Sequence, residues 1–311
     1  MSNIGAIAIT GATSSIGVAL CEACVQQNIK VIAIIQPNSS KKNTLPSSEL
    51  VTIVESDIED YDKIDTSVIK ADALIHLAWK STNGAALRDD THAHTANIEC
   101  CLQAVELASR LDCEVFIGAG SQAEYGRTDE VLTENTECHP ETAYGMAKLC
   151  AGQMSRLLCE QKGIRHIWTR ILSAYGPYCN LRTVISYTIN ELINGREPEL
   201  SDGRQIWNFI YTGDIAEALI ALAKKGKNNR IYVIGSKDTR KLSDYLLETG
   251  RVLAPDITIG LGRRPYNADA VMHLECDITP LIEDTGYTPS TAFADGIIKT
   301  ADWMRDYAGN N

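Results

Sequence analysis

The sequence predicts a doubly wound α/β chain: a parallel sheet with helices on both faces, joined to a smaller, discontinuous C-terminal substrate domain. Three observations lead there. Short apolar runs recur at residues 4–10, 31–35, 51–54, 73–78, 114–118, 164–171 and 230–234. Stretches of helical period separate most of them, so strand and helix alternate, which is the pattern of a parallel sheet wound on both sides. The first run passes directly into Gly11-Ala12-Thr13-Ser14-Ser15-Ile16-Gly17 and then a helical pattern through Gln26. Strand, tight glycine turn and helix in that order is the setting of a dinucleotide fingerprint.

Each element has a reason. Gly11 permits the sharp turn, and Gly17 allows the following helix to pack closely. The amides and positive dipole end of that helix suit a pyrophosphate. Ser14 stands where the middle glycine of such a fingerprint usually sits, and its small hydroxyl still lets a phosphate approach. Gly11, Thr13, Ser14, Ser15, Ile16 and Gly17 are therefore candidate cofactor ligands.

The end of the 31–35 run bears on which dinucleotide binds. An Asp or Glu there would accept from a ribose 2′-hydroxyl and repel a 2′-phosphate. The chain instead reads Gln36-Pro37-Asn38-Ser39-Ser40-Lys41-Lys42. With no acid in place and lysines following, NADP(H) is favoured over NAD(H), with Gln36 and Lys41 as contacts. After the 51–54 run, Asp57 is placed to accept from the adenine amino group, with Ile58 beside it. The 73–78 run ends at Leu77 and Ala78, next to the nicotinamide half, and His76 within it reads as a buried, satisfied histidine. Residues 79–91 read as a polar loop and 97–110 as a helix.

The 114–118 run leads to Ser121 at a strand end. Further on, Thr142 opens a helical pattern to residue 161 that carries Tyr144 and Lys148 at i,i+4, on one face and one turn apart. A free phenol titrates near pH ~10, so it shuttles protons at neutral pH only if a cation favours its ionised form. Lys148 supplies that cation. Ser121 would hold a carbonyl against the phenol, and Tyr144 would give a proton as hydride reaches the carbon.

Beyond Arg170 the alternation loosens. Residues 173–178 form a turn, 183–194 a helix, and 199–210 a polar stretch with Trp207, Asn208 and Phe209. Thr212-Gly213-Asp214 caps a helix running to Ala223. The expected division is 1–172 plus 212–235 for the dinucleotide-binding part and 173–211 plus 236–311 for the substrate part.

Composition sets the outer limits. The chain has 311 residues, 44% hydrophobic, and a mean hydropathy of −0.12. A net charge of −11 argues against a nucleic-acid or anionic-membrane partner. The start lacks a basic n-region and no run approaches the ~18 apolar residues of a span, so a cytoplasmic protein without membrane insertion is expected. The cysteines are irregularly spaced and read as reduced, mostly buried thiols. Cys21-x-x-Cys24 falls in the first helix and reads as core packing, with no metal site expected.

Taken in order, these segments resemble the extended short-chain dehydrogenase/reductase family of nucleotide-sugar epimerases, dehydratases and reductases. The resemblance rests on residues 10–17, Asp57-Ile58, His76-Leu77-Ala78, Ser121 with Tyr125-Gly126, Tyr144 through Lys148, Arg170 with Tyr175-Gly176-Pro177, Asn208 through Tyr211, and Arg264-Pro265. It implies Ser121, Tyr144 and Lys148 as the catalytic trio, with Lys148 also holding the nicotinamide ribose. It implies Gln122, Tyr178, Asn208 and Arg264 on the substrate side. Arg264 resembles the arginine that reaches the nucleotide pyrophosphate, and Arg263 is its rival. Helices 97–110 and 142–161 would pair in a homodimer through a four-helix bundle.

The reaction is narrowed by absence. The family's 4,6-dehydratases carry an Asp-Glu pair directly after the hydroxyl residue, whereas this chain has Gln122 and Ala123. Bifunctional epimerase-reductases place a Cys where Ala123 stands. Glu124 lies one residue too far along and reads as fixing the loop. The expectation is NADPH-dependent reduction of a nucleotide-linked 4-keto-6-deoxy sugar, of the kind used in polysaccharide biosynthesis. The alternative is an NAD(P)-dependent nucleotide-sugar 4-epimerase. A non-catalytic NADP-sensing regulator is disfavoured by the Tyr144–Lys148 pair.

Overall fold

Period-two burial builds the sheet. In β1 (Ala6–Thr10), Ile7 and Ile9 join the core under one helical layer, while Ala8 joins the core under the other. The computed structural model describes residues 4–81, 85–266 and 271–309. The further strands of the main sheet are β2 (Lys30–Ile35), β3 (Val51–Glu55), β4 (Ala73–His76), β5 (Val115–Ser121), β6 (Arg165–Ile171) and, after two strands of a second sheet, β9 (Arg230–Ile234). Their order is β3-β2-β1-β4-β5-β6-β9, and every neighbouring pair is parallel. The order reverses between β1 and β4, which places a ligand crevice at the carboxyl ends of the strands there.

Helices cover both faces. On one side, α1 (Ser15–Gln26) packs beside α6 (Thr212–Lys225), and on the other α3 (Thr91–Arg110) packs beside α4 (Ala143–Lys162). Side-chain caps start them: the Ser14 hydroxyl accepts from Gly17 N at 3.1 Å, Asp90 from Ala93 N at 3.0 Å, and Thr142 from Gly145 N at 3.1 Å. Such a cap is worth about 1 kcal/mol. Gly17 is there for contact: a Cβ on it would lie 2.4 Å from Gly11 O. Gly11 itself has φ 68°, a left-handed conformation that favours glycine.

The second sheet has β7 (Ser173–Tyr175), β8 (Ile206–Tyr211) and β10 (Thr239–Lys241), in the order β10-β8-β7. It packs with α5 (Val184–Ile193), α7 (Leu242–Leu253) and α9 (Phe293–Gly309) around an aromatic cluster in which Tyr245 and Phe293 centroids are 4.6 Å apart. The short α8 (Thr279–Thr285) packs on α6.

Several expectations shift. The helix expected at 97–110 begins at Thr91, capped by Asp90, because its His- and Thr-rich first turns hide the apolar period. The 79–91 loop contains the single turn α2 (Ala85–Arg88). The strand expected at 114–118 runs on through Gly120 to Ser121. The 199–210 polar stretch holds β8. None of the cysteines is in a disulfide, and Cys21 and Cys24 pack in the core as expected. Burial pushes the Cys24 thiol up to about 12. Among the described residues, no helix is long and apolar enough to cross a membrane.

Candidate active site

A cavity of about 1170 Å³ runs along the carboxyl ends of β1, β2, β4, β5 and β6 and reaches β8 of the second sheet. It brings together Gly11, Thr13, Ser14, Ser15, Ile16, Gln36, Lys41, Ile58, Leu77, Ala78, Ser121, Gln122, Tyr144 and Lys148, most of the residues expected from sequence. Gly17 stands behind this wall and supports it. Asp57 does not line the cavity, although Ser56 and Ile58 on either side of it do.

Ser121 closes β5 and starts a short 3₁₀ turn, Gln122–Glu124. Its hydroxyl accepts from Ala123 N at 3.2 Å, while the Glu124 carboxylate accepts from Ser121 N at 2.8 Å. Glu124 is fully buried and also accepts from Trp168 Nε1 at 3.0 Å and Arg170 Nε at 2.8 Å. It fixes the loop, as its place in the sequence implied.

Tyr144 and Lys148 lie in the first two turns of α4, and both reach the cavity. Lys148 is 3% exposed; its ammonium donates to Ala119 O at 2.6 Å and lies 3.7 Å from the Trp79 ring centroid. Burial pulls its pKa down to about 8, against the attraction of Cys101 and Glu124. Tyr144 is half-buried, framed by the Trp79 ring at 6.3 Å, the His94 ring at 5.6 Å and the Arg88 guanidinium at 5.1 Å. Burial pushes its phenol up, while the neighbouring Ser121 hydroxyl and the Arg88 charge pull the other way.

The Lys148 ammonium, expected to favour the ionised phenol, is 5.9 Å from the Tyr144 ring centroid, within the roughly 4–6 Å over which a charge acts on a neighbour, and is also engaged by Ala119 and Trp79. His76 is also only partly satisfied: Nδ1 meets the Thr10 hydroxyl at 2.8 Å, but Nε2 has no partner among the described residues. Burial pushes its pKa down to about 3, so it is neutral.

Three residues expected on the substrate side stand off the cavity wall. The fully buried Asn208 amide donates to Ser236 O at 2.9 Å, Asp238 O at 3.2 Å and Thr239 Oγ1 at 2.9 Å, and its oxygen accepts from Ser236 N at 2.9 Å. The strand period turns its neighbours Trp207 and Phe209 to the cavity instead. Tyr178 has φ 63° and packs its ring 4.9 Å from that of Trp303. Arg264 is exposed, 3.6 Å from the Glu199 carboxylate, and Arg263 pairs with Glu197 at 2.7 Å. The signal that sequence reasoning missed is the alternation within β8 and the cluster of Trp79 and Arg88 in a segment read as loop.

The wall fits a nicotinamide dinucleotide. A Cβ on Gly11 would sit 2.8 Å from Ala78 N, so glycine lets the turn after β1 pack directly against the chain leaving β4, the two together lining one side of the groove. The groove continues from the start of α1 to Gln36 and Lys41 at one end and to Tyr144 and Lys148 at the other. Ser14 spends its hydroxyl on the helix cap.

A profile of the NAD-dependent epimerase/dehydratase family matches residues 7–235. The chain belongs to that family. A dTDP-glucose 4,6-dehydratase of Mycobacterium tuberculosis is 23% identical over 322 residues, covering 96% of this chain and 92% of that protein. Among solved structures of the epimerase/dehydratase fold, the UDP-glucose 4-epimerase of Thermotoga maritima with UDP-glucose superposes with a TM-score of 0.86 at 21% identity, covering 97% of this chain and 99% of that one. The UDP-glucuronic acid 4-epimerase of Bacillus cereus in complex with NAD gives a TM-score of 0.83 at 20% identity, with 98% of each chain covered.

Proposed function

We propose that this epimerase/dehydratase-family chain catalyses NADPH-dependent reduction of a nucleotide-linked 4-keto-6-deoxy sugar, with Tyr144 as the proton donor. The observation that carries the reading is the convergence of Ser121, Tyr144 and Lys148 on one cavity, with Gln122 and Ala123 in the two positions after Ser121. Neither an amide nor a methyl group can take a sugar proton, so the loop has no acid pair for eliminating water. Residues 11–16 would hold a nicotinamide dinucleotide, which when bound would supply the hydride. Ser121 orients the carbonyl oxygen, Tyr144 delivers the proton to it, and the buried Lys148 ammonium faces the same end of the groove. At the adenosine end Gln36 brings no charge to repel a 2′-phosphate, and Lys41 on the wall brings a positive one.

A second reading, nucleotide-sugar 4-epimerisation with a retained cofactor, is favoured by the 4-epimerases among the structural relatives. One assay separates them. The protein is given a nucleoside diphospho-4-keto-6-deoxyhexose with NADPH or NADH, and in parallel UDP-glucose with NAD. Stoichiometric NADPH consumption with the keto sugar supports reduction. Conversion of UDP-glucose to its C4 epimer without net cofactor change replaces it by the second reading.

The division of the chain into 1–172 plus 212–235 and 173–211 plus 236–311 is supported by its two separate sheets. A homodimer through α3 and α4 is supported by Met146, Met154 and Leu157, exposed on α4 at 53%, 44% and 52%.

A further inference from the structure

We propose that Arg88 is a positioning residue for Tyr144, a second cation that acts beside Lys148 on the proton affinity of the phenol. The inference rests on the reading of Tyr144 as proton donor and concerns a residue outside the Ser-Tyr-Lys trio.

The geometry begins with what surrounds the phenol. From β5 comes the Ser121 hydroxyl, and from the turn after it Glu124, whose charge is matched by Arg170 at 2.8 Å. From α4 itself comes Lys148, 5.9 Å from the ring centroid and drawn to the Ala119 carbonyl and the Trp79 face. From α3 comes His94. Its Nδ1 faces Trp79 Nε1 at 3.2 Å, and an indole N–H only donates, so Nδ1 accepts. Its Nε2 then carries the hydrogen and donates to Leu87 O at 3.0 Å. Both nitrogens are used in the neutral tautomer, and His94 brings no charge to the phenol. From α2 comes Arg88, with Cζ 5.1 Å from the Tyr144 ring centroid, a range comparable to that of the Lys148 ammonium.

The same histidine explains how a residue on a one-turn helix is held there. By receiving the His94 hydrogen bond, the Leu87 carbonyl ties α2 to α3 one residue before Arg88. Trp79 fixes the ring of that histidine and also takes up the Lys148 ammonium. Trp79 thus holds one cation in place beside the phenol, and His94 steadies the turn that brings in the other. Because Arg88 is exposed, its field is screened by salt over a Debye length of about 10 Å at 0.1 M.

The test compares Arg88→Gln, Arg88→Lys and wild type, with Tyr144→Phe as reference. In the cofactor-free protein, the near-ultraviolet tyrosinate titration of each, minus that of its Tyr144→Phe counterpart, isolates this phenol. Loss of the cation in Arg88→Gln raises the midpoint by on the order of one pH unit at low salt. Arg88→Lys restores most of it, and added salt shrinks the difference. In the reductive assay, where the donor must be protonated, the alkaline limb of kcat/KM moves up by the same amount. NADPH affinity stays within about twofold, since the effect is local to the phenol. An unmoved midpoint in Arg88→Gln overturns the proposal, as does an equal loss of activity in both variants with no shift of either profile. Wild-type turnover by Tyr144→Phe would instead overturn the proton-donor reading, so the two failures are told apart.

Discussion

Glu124 and Arg170 form an ion pair 2.8 Å apart, 0% and 3% exposed, directly behind the hydroxyl residue of the candidate site. One carboxylate thereby joins the backbone of Ser121 to β6, and Trp168 completes its shell. Burial opposes the Arg170 charge, but Glu124 and Tyr125 outweigh it and hold the guanidinium protonated. The pair is a fixture of the loop, and its rigidity comes with an obligation: neither charge tolerates the loss of the other.

Removing one partner should therefore cost more than removing both. Glu124→Leu or Arg170→Met alone is expected to lose roughly 3–5 kcal/mol, since each strands a buried charge. The double variant should be less destabilised than the sum of the singles. Urea melts of the four proteins give the coupling directly, and strict additivity would show that the pair does not act as a unit.

Tyr144→Phe is expected to lower turnover about 10²- to 10⁴-fold, the usual contribution of a positioned proton donor. NADPH binding, followed by fluorescence titration, should be nearly unchanged.

Lys148 is costly to fold. Its pKa falls from an ordinary 10.5 to about 8, so the folded chain holds that proton less tightly than the unfolded chain. Lys148→Met should raise stability at pH 7 by roughly 1–3 kcal/mol, less whatever the Trp79 and Ala119 contacts contribute. The advantage is full below about pH 8 and fades as pH rises toward 10.5, where wild type no longer buries a charge. Melts across that window, set beside lost activity, check the sign.

At the adenosine end, Lys42 is already paired with Glu55 at 2.9 Å, while Lys41 lines the groove. Lys41→Ala should weaken NADPH binding by about five- to tenfold, the loss of one charge-assisted contact, and leave NADH binding within about twofold. Tighter NADH than NADPH binding in wild type would reverse the cofactor assignment and favour epimerisation.

Met154→Glu with Leu157→Asp places two charges on the exposed apolar stripe of α4. If that stripe is the dimer face, light scattering should read a monomer for the variant and a dimer for wild type. A wild-type monomer would remove the four-helix-bundle proposal.

Much of this molecule is legible in the chain because its signals are local. Gly11, Gly17 and the capping Ser14 act within a few residues of one another, and the unbroken apolar runs at 4–10 and 31–35 report two buried faces at once. The Tyr144 and Lys148 spacing is read just as directly. What was not legible depends on contacts across the fold. Nothing near Lys148 in sequence announces Trp79, which reaches it from the loop after β4. The polar 79–91 segment gave no period from which to place Arg88. Asn208 was assigned to the substrate by resemblance, whereas the register of β8 with β10 turns it inward.

That inward turn has a mechanical consequence. The hydrogen bonds of the Asn208 amide fasten β8 to the chain just beyond β9, at the seam between the large sheet and the small one. Because those bonds are buried, parting the two sheets there would leave polar groups without partners, which makes the seam the stiffer margin of the cleft.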